Sequence, residues 1–153
     1  MSTGKATTMK RSNRETSLEA VKAVAFELGR RGYVVEAESG DAPKVHLRAS
    51  APSGQKFRVQ VRGCSGTSPI NIGEKFLDVP EVQDLFLIVV LVPPLGSNVL
   101  PRFFLLSQPE AAQEWKRLPN NKEDGGTYDP SWFYSLYWRC IEPYEGKWET
   151  LPR

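Results

Sequence analysis

Two short runs of alternating apolar and polar residues, both within residues 45–63, constrain the fold of this chain most strongly. Every second residue is apolar in each run: Val45, Leu47 and Ala49 in the first, and Phe57, Val59 and Val61 in the second. A period of two is typical of strands that bury one face. Residues 51–55 lie between the runs and contain Pro52 and Gly54, which favour a turn. The stretch therefore predicts a β-hairpin.

The polar face of this hairpin is the first candidate for a functional surface. Its members are His46, Arg48, Arg58, Gln60 and Arg62. Residues 1–62 carry 12 Lys and Arg against 6 Asp and Glu, whereas residues 63–153 carry 8 against 12. A basic N-terminal half favours contact with phosphate groups, and ordinary solvated surface charge is the alternative.

Length and composition limit the class of protein. The chain has 153 residues, 40% of them hydrophobic and 25% charged, which is typical of one globular domain. No apolar run reaches the roughly 18 to 20 residues of a membrane span, and the N-terminus lacks the apolar segment of a secretory signal. Neither Cys64 nor Cys140 lies in a CxxC motif, so a disulfide framework or thiolate zinc site is not indicated. We expect a cytoplasmic protein without a membrane partner.

The segment before the hairpin predicts a helix and a strand. Residues 1–14 are polar, without periodicity, and indicate a disordered basic arm preceding a domain over residues 15–153. A helix is predicted over residues 17–31, started by a capping box of Thr16 and Glu19 and ended at Gly32. Its predicted apolar stripe consists of Leu18, Val21, Ala25 and Leu28. Residues 33–38 then predict a strand and residues 39–43 a turn.

The segment after the hairpin alternates between loops and buried elements. Gly63 and the residues that follow predict the end of the second hairpin strand and a long connection to Asp84. Residues 85–92 are apolar without alternation, which predicts a central strand buried on both faces. A strand over residues 102–106 and a helix over residues 109–117, capped by Ser107 and Glu110, should follow.

The C-terminal extension, residues 129–153, is rich in aromatic side chains. Asp129 and Pro130 predict the start of a helix. The rings after them belong to Trp132, Phe133, Tyr134, Tyr137, Trp138, Tyr144 and Trp148. They either stack on nucleic-acid bases or cover the sheet.

The predicted order is helix, strand, hairpin, buried strand, strand and helix. Together with Gly32-Tyr33-Val34-Val35 and Val59-Gln60-Val61-Arg62-Gly63, it resembles the PD-(D/E)XK nuclease-like superfamily over about residues 15–107. The likeness is to small bacterial members such as restriction endonucleases and Holliday-junction resolvases. It implies an α/β fold with a restriction-endonuclease-like mixed sheet of about five strands flanked by helices, in a single domain.

The resemblance also implies a site, and this chain departs from it at most positions. In the family an Asp heads the hairpin, an acid or Gln and a Lys follow on the second strand, and a helix often adds a Glu. The matching residues here are His46, Gln60 and Arg62, with Glu19 about half a turn from the helical position. Imidazole is a poor ligand for Mg²⁺, and an arginine does not lose a proton. We therefore expect a degraded catalytic site that holds no cofactor.

Three functions follow from these residues. The first is a nuclease-fold protein without catalysis that binds DNA through Arg48, Arg58 and Arg62. The second is an active Mg²⁺-dependent DNA endonuclease, with Asp41 and Gln60 as metal ligands or with Glu36 or Glu19 supplying the missing carboxylate. The third is a module that binds a protein partner, which an exposed apolar patch among the aromatic residues would favour.

Overall fold

A five-stranded mixed sheet contains the predicted hairpin in the computed structural model, which describes residues 10–37, 46–117 and 133–153. The strands are β1 (Val34–Ala37), β2 (His46–Ser50), β3 (Lys56–Cys64), β4 (Ile70–Asn71), β5 (Leu85–Leu91), β6 (Arg102–Ser107) and β7 (Ser135–Leu136). The helices are α1 (Asn13–Arg30), α2 (Glu74–Leu77), α3 (Gln108–Lys116) and α4 (Trp138–Ile141), followed by short 3₁₀ turns at Glu142–Tyr144 and Trp148–Thr150.

The strand order in the large sheet is β1-β2-β3-β5-β6, and β4 pairs with β7 in a separate ladder. β1, β2 and β3 are antiparallel neighbours, β5 runs parallel to β3, and β6 is antiparallel to β5. In the hairpin, His46 lies opposite Gln60 and Arg48 lies opposite Arg58. Gly54 adopts a φ of 95° in the turn. The predicted hairpin and its register are confirmed.

The first face of the sheet, called the helix face here, packs against α1. The side chains it buries on β2 and β3 are Leu47, Ala49, Phe57, Val59 and Val61, and α1 contributes Ala20, Val24 and Leu28. Of the predicted apolar stripe of α1, Leu28 is buried in this core and Val21 and Ala25 are partly buried against it, whereas Leu18 is 47% exposed and was wrongly included. The buried stripe includes Thr16, and because threonine is polar, the pattern of apolar residues does not identify this position as buried.

The start of α1 also differs from the prediction. Ser12 is the N-cap, and it exchanges hydrogen bonds with Glu15, so Asn13 and Arg14 belong to the helix and not to the arm. The predicted capping box at Thr16 and Glu19 is therefore wrong. Both pairs satisfy the same four-residue pattern, and the earlier pair caps a longer helix. Gly32 adopts a φ of 95° just after the helix, as predicted.

Gly63 does not break the strand, because β3 continues to Cys64. A Cβ atom at Gly63 would lie 2.8 Å from the carbonyl oxygen of Thr16 and 2.8 Å from the Cβ of Ala20. Both neighbouring atoms belong to α1 and neither is at the end of a flexible side chain. The glycine is therefore needed for the close approach of α1 to β3, and not for a turn.

The second face of the sheet, called the connection face here, is covered in its β3–β6 part. Leu87, Val89, Phe104 and Leu106 are buried there beneath residues of the connection and the C-terminal region: Ile70, Ile72, Phe76, Leu77, Leu136 and Ile141. The predicted strands β5 and β6 and the Ser107 and Glu110 cap of α3 are confirmed. β4 and α2 are too short to show a period and were not predicted. The predicted turn at residues 39–43 and helix at Asp129 lie outside the described residues.

Candidate functional site

The connection divides the polar side of the hairpin into two halves. We call residues Gln60, Arg62 and Cys64 the covered half, since the segment around β4 lies over them. We call residues Glu36, Arg48, Lys56 and Arg58 the open half, since their side chains remain exposed. The pattern of alternation is the same in both halves.

In the covered half, the polar side chains bind backbone carbonyl groups. Gln60 is only 3% exposed, and its Nε2 donates to the carbonyl of Ile72 at 3.0 Å. Arg62 donates from Nη2 to the same carbonyl at 3.2 Å and from Nε to the carbonyl of Asn71 at 3.2 Å. The expectation that this face is either solvated or a site is therefore wrong for Gln60, which is a buried structural residue.

The segment that Gln60 and Arg62 contact also forms hydrogen bonds with the C-terminal region on its other side. The amide of Ile72 donates to the carbonyl of Tyr134 at 2.9 Å, and that of Gly73 donates to the same oxygen at 3.1 Å. Ile70 lies opposite Leu136 in the β4–β7 ladder. The two motif side chains thus link the large sheet to the small ladder above it. Both side chains donate to the carbonyl of Ile72, a buried residue, and Arg62 donates to that of Asn71 as well.

Burial in the covered half shifts the pKa values of two groups in the direction that favours the neutral form of each. Desolvation lowers the pKa of the Arg62 guanidinium, which still remains protonated, and raises the pKa of the Cys64 thiol to about 11. The Cys64 Sγ lies 3.5 Å from the carbonyl of Val90. A thiol in this state is a poor nucleophile at neutral pH, so Cys64 serves packing.

The residues proposed as metal ligands do not come together in the described part of the chain. Glu19 projects from α1, which packs on the helix face, and it pairs with Lys22 at 3.4 Å. Gln60 points to the opposite side of the sheet. Glu36 lies in the open half. Asp41 is outside the described residues, and His46 is placed opposite Gln60 by its backbone alone.

Within residues 10–37, 46–117 and 133–153, no group of three or more His, Cys, Asp or Glu side chains is arranged to hold a metal ion. No acidic side chain in that part of the chain forms an ion pair with Arg62. A cation placed beside Gln60 would therefore meet a neutral amide and an unneutralised guanidinium. This arrangement does not suit Mg²⁺, which prefers anionic oxygen ligands.

The open half forms the floor of a groove with a volume of about 480 Å³. Its charged lining residues are Glu36, Arg48, Lys56, Arg58 and Asp84. Val34 and Val82 add apolar surface on its two sides. With three cationic and two acidic side chains, the groove has a small positive excess.

Positive charge is concentrated at one row of the groove floor. Arg48 lies directly opposite Arg58, and Glu36 lies opposite Arg48 on the neighbouring strand. Two guanidinium groups on opposite strands of one exposed sheet face can both donate charge-assisted hydrogen bonds to an anion. This row is the strongest electrostatic reason for placing an anionic ligand in the groove.

The wall of the groove is fixed by Asp84, the residue at which the predicted long connection ends. Asp84 adopts a φ of 58°, a left-handed conformation that aspartate tolerates better than most residues. Its carboxylate accepts a hydrogen bond from Gln55 Nε2 at 2.8 Å, and its carbonyl accepts one from the amide of Arg58 at 2.9 Å. The wall is therefore tied to the hairpin that forms the floor.

The described aromatic residues of the C-terminal extension pack against the rest of the domain. Ring centroids of Trp138 and Phe104 lie 4.8 Å apart, and those of Trp148 and Phe103 lie 5.3 Å apart. Tyr134 contacts the ring of Trp115. These rings cover the sheet, as the second of the two alternatives predicts. Trp132 lies outside the described residues.

Comparisons with protein-family models, with curated proteins and with solved structures find no match for this chain. Among the described helices, none combines the length and the apolar character needed to cross a membrane.

Proposed function

We propose that this chain is a catalytically degraded relative of the PD-(D/E)XK nucleases that binds the phosphate backbone of DNA through its open half. The observation that carries the proposal is the opposed pair of exposed residues Arg48 and Arg58 on the floor of the 480 Å³ groove. Lys56 adds a third cation to the same surface. Guanidinium groups bind phosphate with two parallel hydrogen bonds, which suits this row to a phosphodiester chain.

The order of elements supports a restriction-endonuclease-like fold. A helix precedes three antiparallel strands, and β5 then joins the sheet parallel to β3. The residues at the motif positions lie on β2 and β3, as in the family. The proposed relationship therefore rests on topology and motif position, and not on the chemistry of the residues at those positions.

The covered half argues against catalysis. Gln60 and Arg62 donate to the carbonyls of Ile72 and Asn71, so their donors are committed to holding the connection. A positive charge about 4 Å from Mg²⁺ opposes its binding by about 8 kcal/mol at an effective dielectric constant of 20, because the ion carries two charges. We expect purified protein to leave plasmid and branched DNA intact with Mg²⁺ or Mn²⁺.

The binding test is the salt dependence of affinity for a short DNA duplex, measured by fluorescence anisotropy. Each phosphate contact contributes a slope of about −0.9 to the plot of log K against log salt concentration. Arg48→Ala, Lys56→Ala and Arg58→Ala should each flatten the slope by about one unit. Lys147→Ala is the matched control, because it removes an exposed charge beyond β6, far from the groove.

Arg62→Ala is not a valid probe of DNA contact, because its loss also releases two carbonyl groups. If no binding occurs at low salt, or the slope ignores all three substitutions, the DNA proposal is wrong. If the protein cuts DNA with a metal and Gln60→Ala abolishes cutting, the site is active. The missing carboxylate would then come from Glu36 or Asp41.

A protein partner is the second candidate function, and one observation favours it. The described aromatic rings of the C-terminal extension form no large exposed patch, with only Phe133 substantially exposed, at 37%. Exposed apolar side chains instead gather beside α1, on the other side of the sheet, where they line a second groove.

A further inference from the structure

The second groove lies between α1 and the strands β5 and β6, and it has a volume of about 420 Å³. Two of its apolar lining residues are strongly exposed: Phe26 at 71% and Leu100 at 78%. Val92 and Phe103 form part of its inner surface. Contiguous exposed apolar surface of this kind marks a contact site, and an aromatic ring is the commonest anchor of such a site.

The charges around this groove differ from those of the open half. Arg11 and Lys22 are cationic, while Glu19 and Glu27 are anionic, so the two signs are balanced. A balanced rim gives no net attraction for a phosphate backbone. It suits a protein surface that also carries both signs, with an apolar centre.

A single stripe of α1 faces this groove and continues past it. Its residues are Glu19, Ala23, Phe26 and Arg30, at spacings of four, three and four. These spacings place the four side chains on one side of a helix, as in the seam of a coiled coil. The stripe is acidic at one end, basic at the other, and has a small and a large apolar residue between them.

We propose that a second copy of this chain docks on the groove, with the two α1 helices antiparallel. In that register Phe26 of one copy packs on Ala23 of the other, and Glu19 of one copy faces Arg30 of the other. Each residue of the stripe meets a complementary residue when the second stripe runs in the opposite direction. A two-fold axis between the two copies therefore forms each contact twice. Ala23 leaves room for the ring of the second copy, and Phe103 and Leu100 surround that position.

Within one copy, ion pairs along α1 already position the charged residues at the two ends of the stripe. Lys22 lies 3.4 Å from Glu19, and the guanidinium of Arg30 lies 3.0 Å from the Glu27 carboxylate. In the antiparallel dimer, the Glu19 and Lys22 pair of one copy lies beside the Arg30 and Glu27 pair of the other, with opposite signs adjacent. The charges therefore select the antiparallel register, and the Phe26 ring provides the contact area.

This interface is independent of the proposed DNA contact. The groove is lined by helix-face residues such as Val90 and Val92, whereas Arg48 and Arg58 lie on the connection face. The dimer therefore leaves both open halves exposed. Failure of DNA binding and failure of dimerisation are separate results.

The first experiment measures the mass of the full chain by sedimentation equilibrium from about 5 to 500 µM. We expect a monomer–dimer equilibrium for the wild type and at least a tenfold weaker one for Phe26→Ser. Leu18→Ser is the matched control, because Leu18 is exposed on α1 but lies outside the stripe. A wild type that stays monomeric, or a dimer that ignores Phe26→Ser, overturns the proposal.

The second experiment tests the register by native mass spectrometry of mixed variants. Glu19→Arg places two arginines together in its homodimer, and Arg30→Glu places two glutamates together, so each variant alone should dissociate. Mixed in equal amounts, the two should form a heterodimer, because each variant charge then meets its opposite. A mixture that dimerises no better than its components overturns the antiparallel register.

Both charge variants need to be folded for this comparison, which circular dichroism checks. The double variant Glu19→Arg/Arg30→Glu provides an independent arm, since its reversed stripe is again complementary to itself. It should dimerise like the wild type. Loss of dimerisation in this folded double variant would also overturn the proposed pairing.

Discussion

The covered half and the open half lie on one face of the same sheet, yet their polar residues have different roles. Gln60 and Arg62 are covered by the connection and bind its carbonyl groups. Arg48 and Arg58 are exposed and line a groove. The comparison shows that alternation tells which residues point away from the helix face. It does not tell whether those residues meet water or a second layer of protein.

The two halves also differ in the environment they offer a charge. In the covered half, desolvation lowers the pKa of Arg62 and raises that of Cys64. In the open half, Arg48 and Arg58 are exposed, and Glu36 lies opposite Arg48 on the neighbouring strand. A charge in the covered half is therefore removed from water and acts through hydrogen bonds within the protein, whereas a charge in the open half stays in contact with solvent.

The largest expected effect comes from a substitution in β3, the strand that contributes residues to both halves. The substituted residue, Gly63, lies against α1 on the helix face. Gly63→Ala would place a methyl group 2.8 Å from atoms of α1, so we expect a loss of about 3 kcal/mol in the free energy of unfolding. Gly66→Ala is the matched control, because no atom lies within 4 Å of its added Cβ. Urea unfolding measures both. Equal stabilities would show that α1 does not approach β3 this closely.

The next prediction compares the reactivity of a thiol in each half. Burial raises the pKa of Cys64 from 9.0 to about 11, so its thiolate at pH 8 should be about a hundredfold scarcer than in the unfolded chain. In a Cys140→Ala background, iodoacetamide should modify Cys64 that much more slowly without urea than in urea.

The open half supplies the control for this measurement. A cysteine introduced by Lys56→Cys, in a chain lacking Cys64 and Cys140, should react at nearly the same rate folded and unfolded. The sign of the Cys64 shift has a second consequence. Its contribution to stability is complete below pH 9.0 and is lost as the pH rises towards 11. Fast modification of folded Cys64 would mean that the covered half is open to solvent.

The next prediction compares one substitution in each half by its effects on stability and on DNA binding. Arg62→Met keeps the length of the side chain but removes the two hydrogen bonds from the guanidinium to the carbonyls of Asn71 and Ile72, and should cost about 2 kcal/mol. Lys56→Met removes an exposed charge from the same face of β3 and should change stability by less than about 0.5 kcal/mol.

DNA binding should show the reverse order for these two variants. Lys56→Met should flatten the salt dependence, whereas Arg62→Met should leave it near the wild-type value as long as the protein is folded. If Arg62→Met flattens the slope more than Lys56→Met does, the covered half contacts DNA, and the division between the two halves fails.

The smallest effect concerns an exposed ion pair outside both halves, which serves as a reference for surface charge. Arg102 binds both carboxylate oxygens of Glu145, at 2.7 and 2.8 Å, and the hydrogen bond lowers the pKa of Glu145 below 4.5. This contribution is present above pH 4.5 and is lost as the pH falls through the lowered pKa. Glu145→Gln should be slightly less stable at pH 7 and equal to the wild type at low pH. A constant difference at every pH would exclude the ion pair as its cause.

Local patterns in the sequence were sufficient to determine the hairpin, β5, β6 and the cap of α3. The strands follow from alternation or continuous apolar runs, and the cap at Ser107 follows from side chains that bond to their own helix. The candidate residues Arg48 and Arg58 could be named for the same reason, since register places alternate residues on one face.

Only the tertiary structure decided what each polar residue does. Nothing within β3 distinguishes Gln60 from Arg58; the difference arises because residues 70–73, ten or more positions later, fold over one and not the other. Likewise, the sequence around Gly63 is typical of the end of a strand, but Gly63 lies within β3, and only the close approach of α1 explains the glycine. Burial, and with it the pKa of Arg62 and Cys64, depends on atoms distant in sequence, so local patterns determined the elements and packing determined the site.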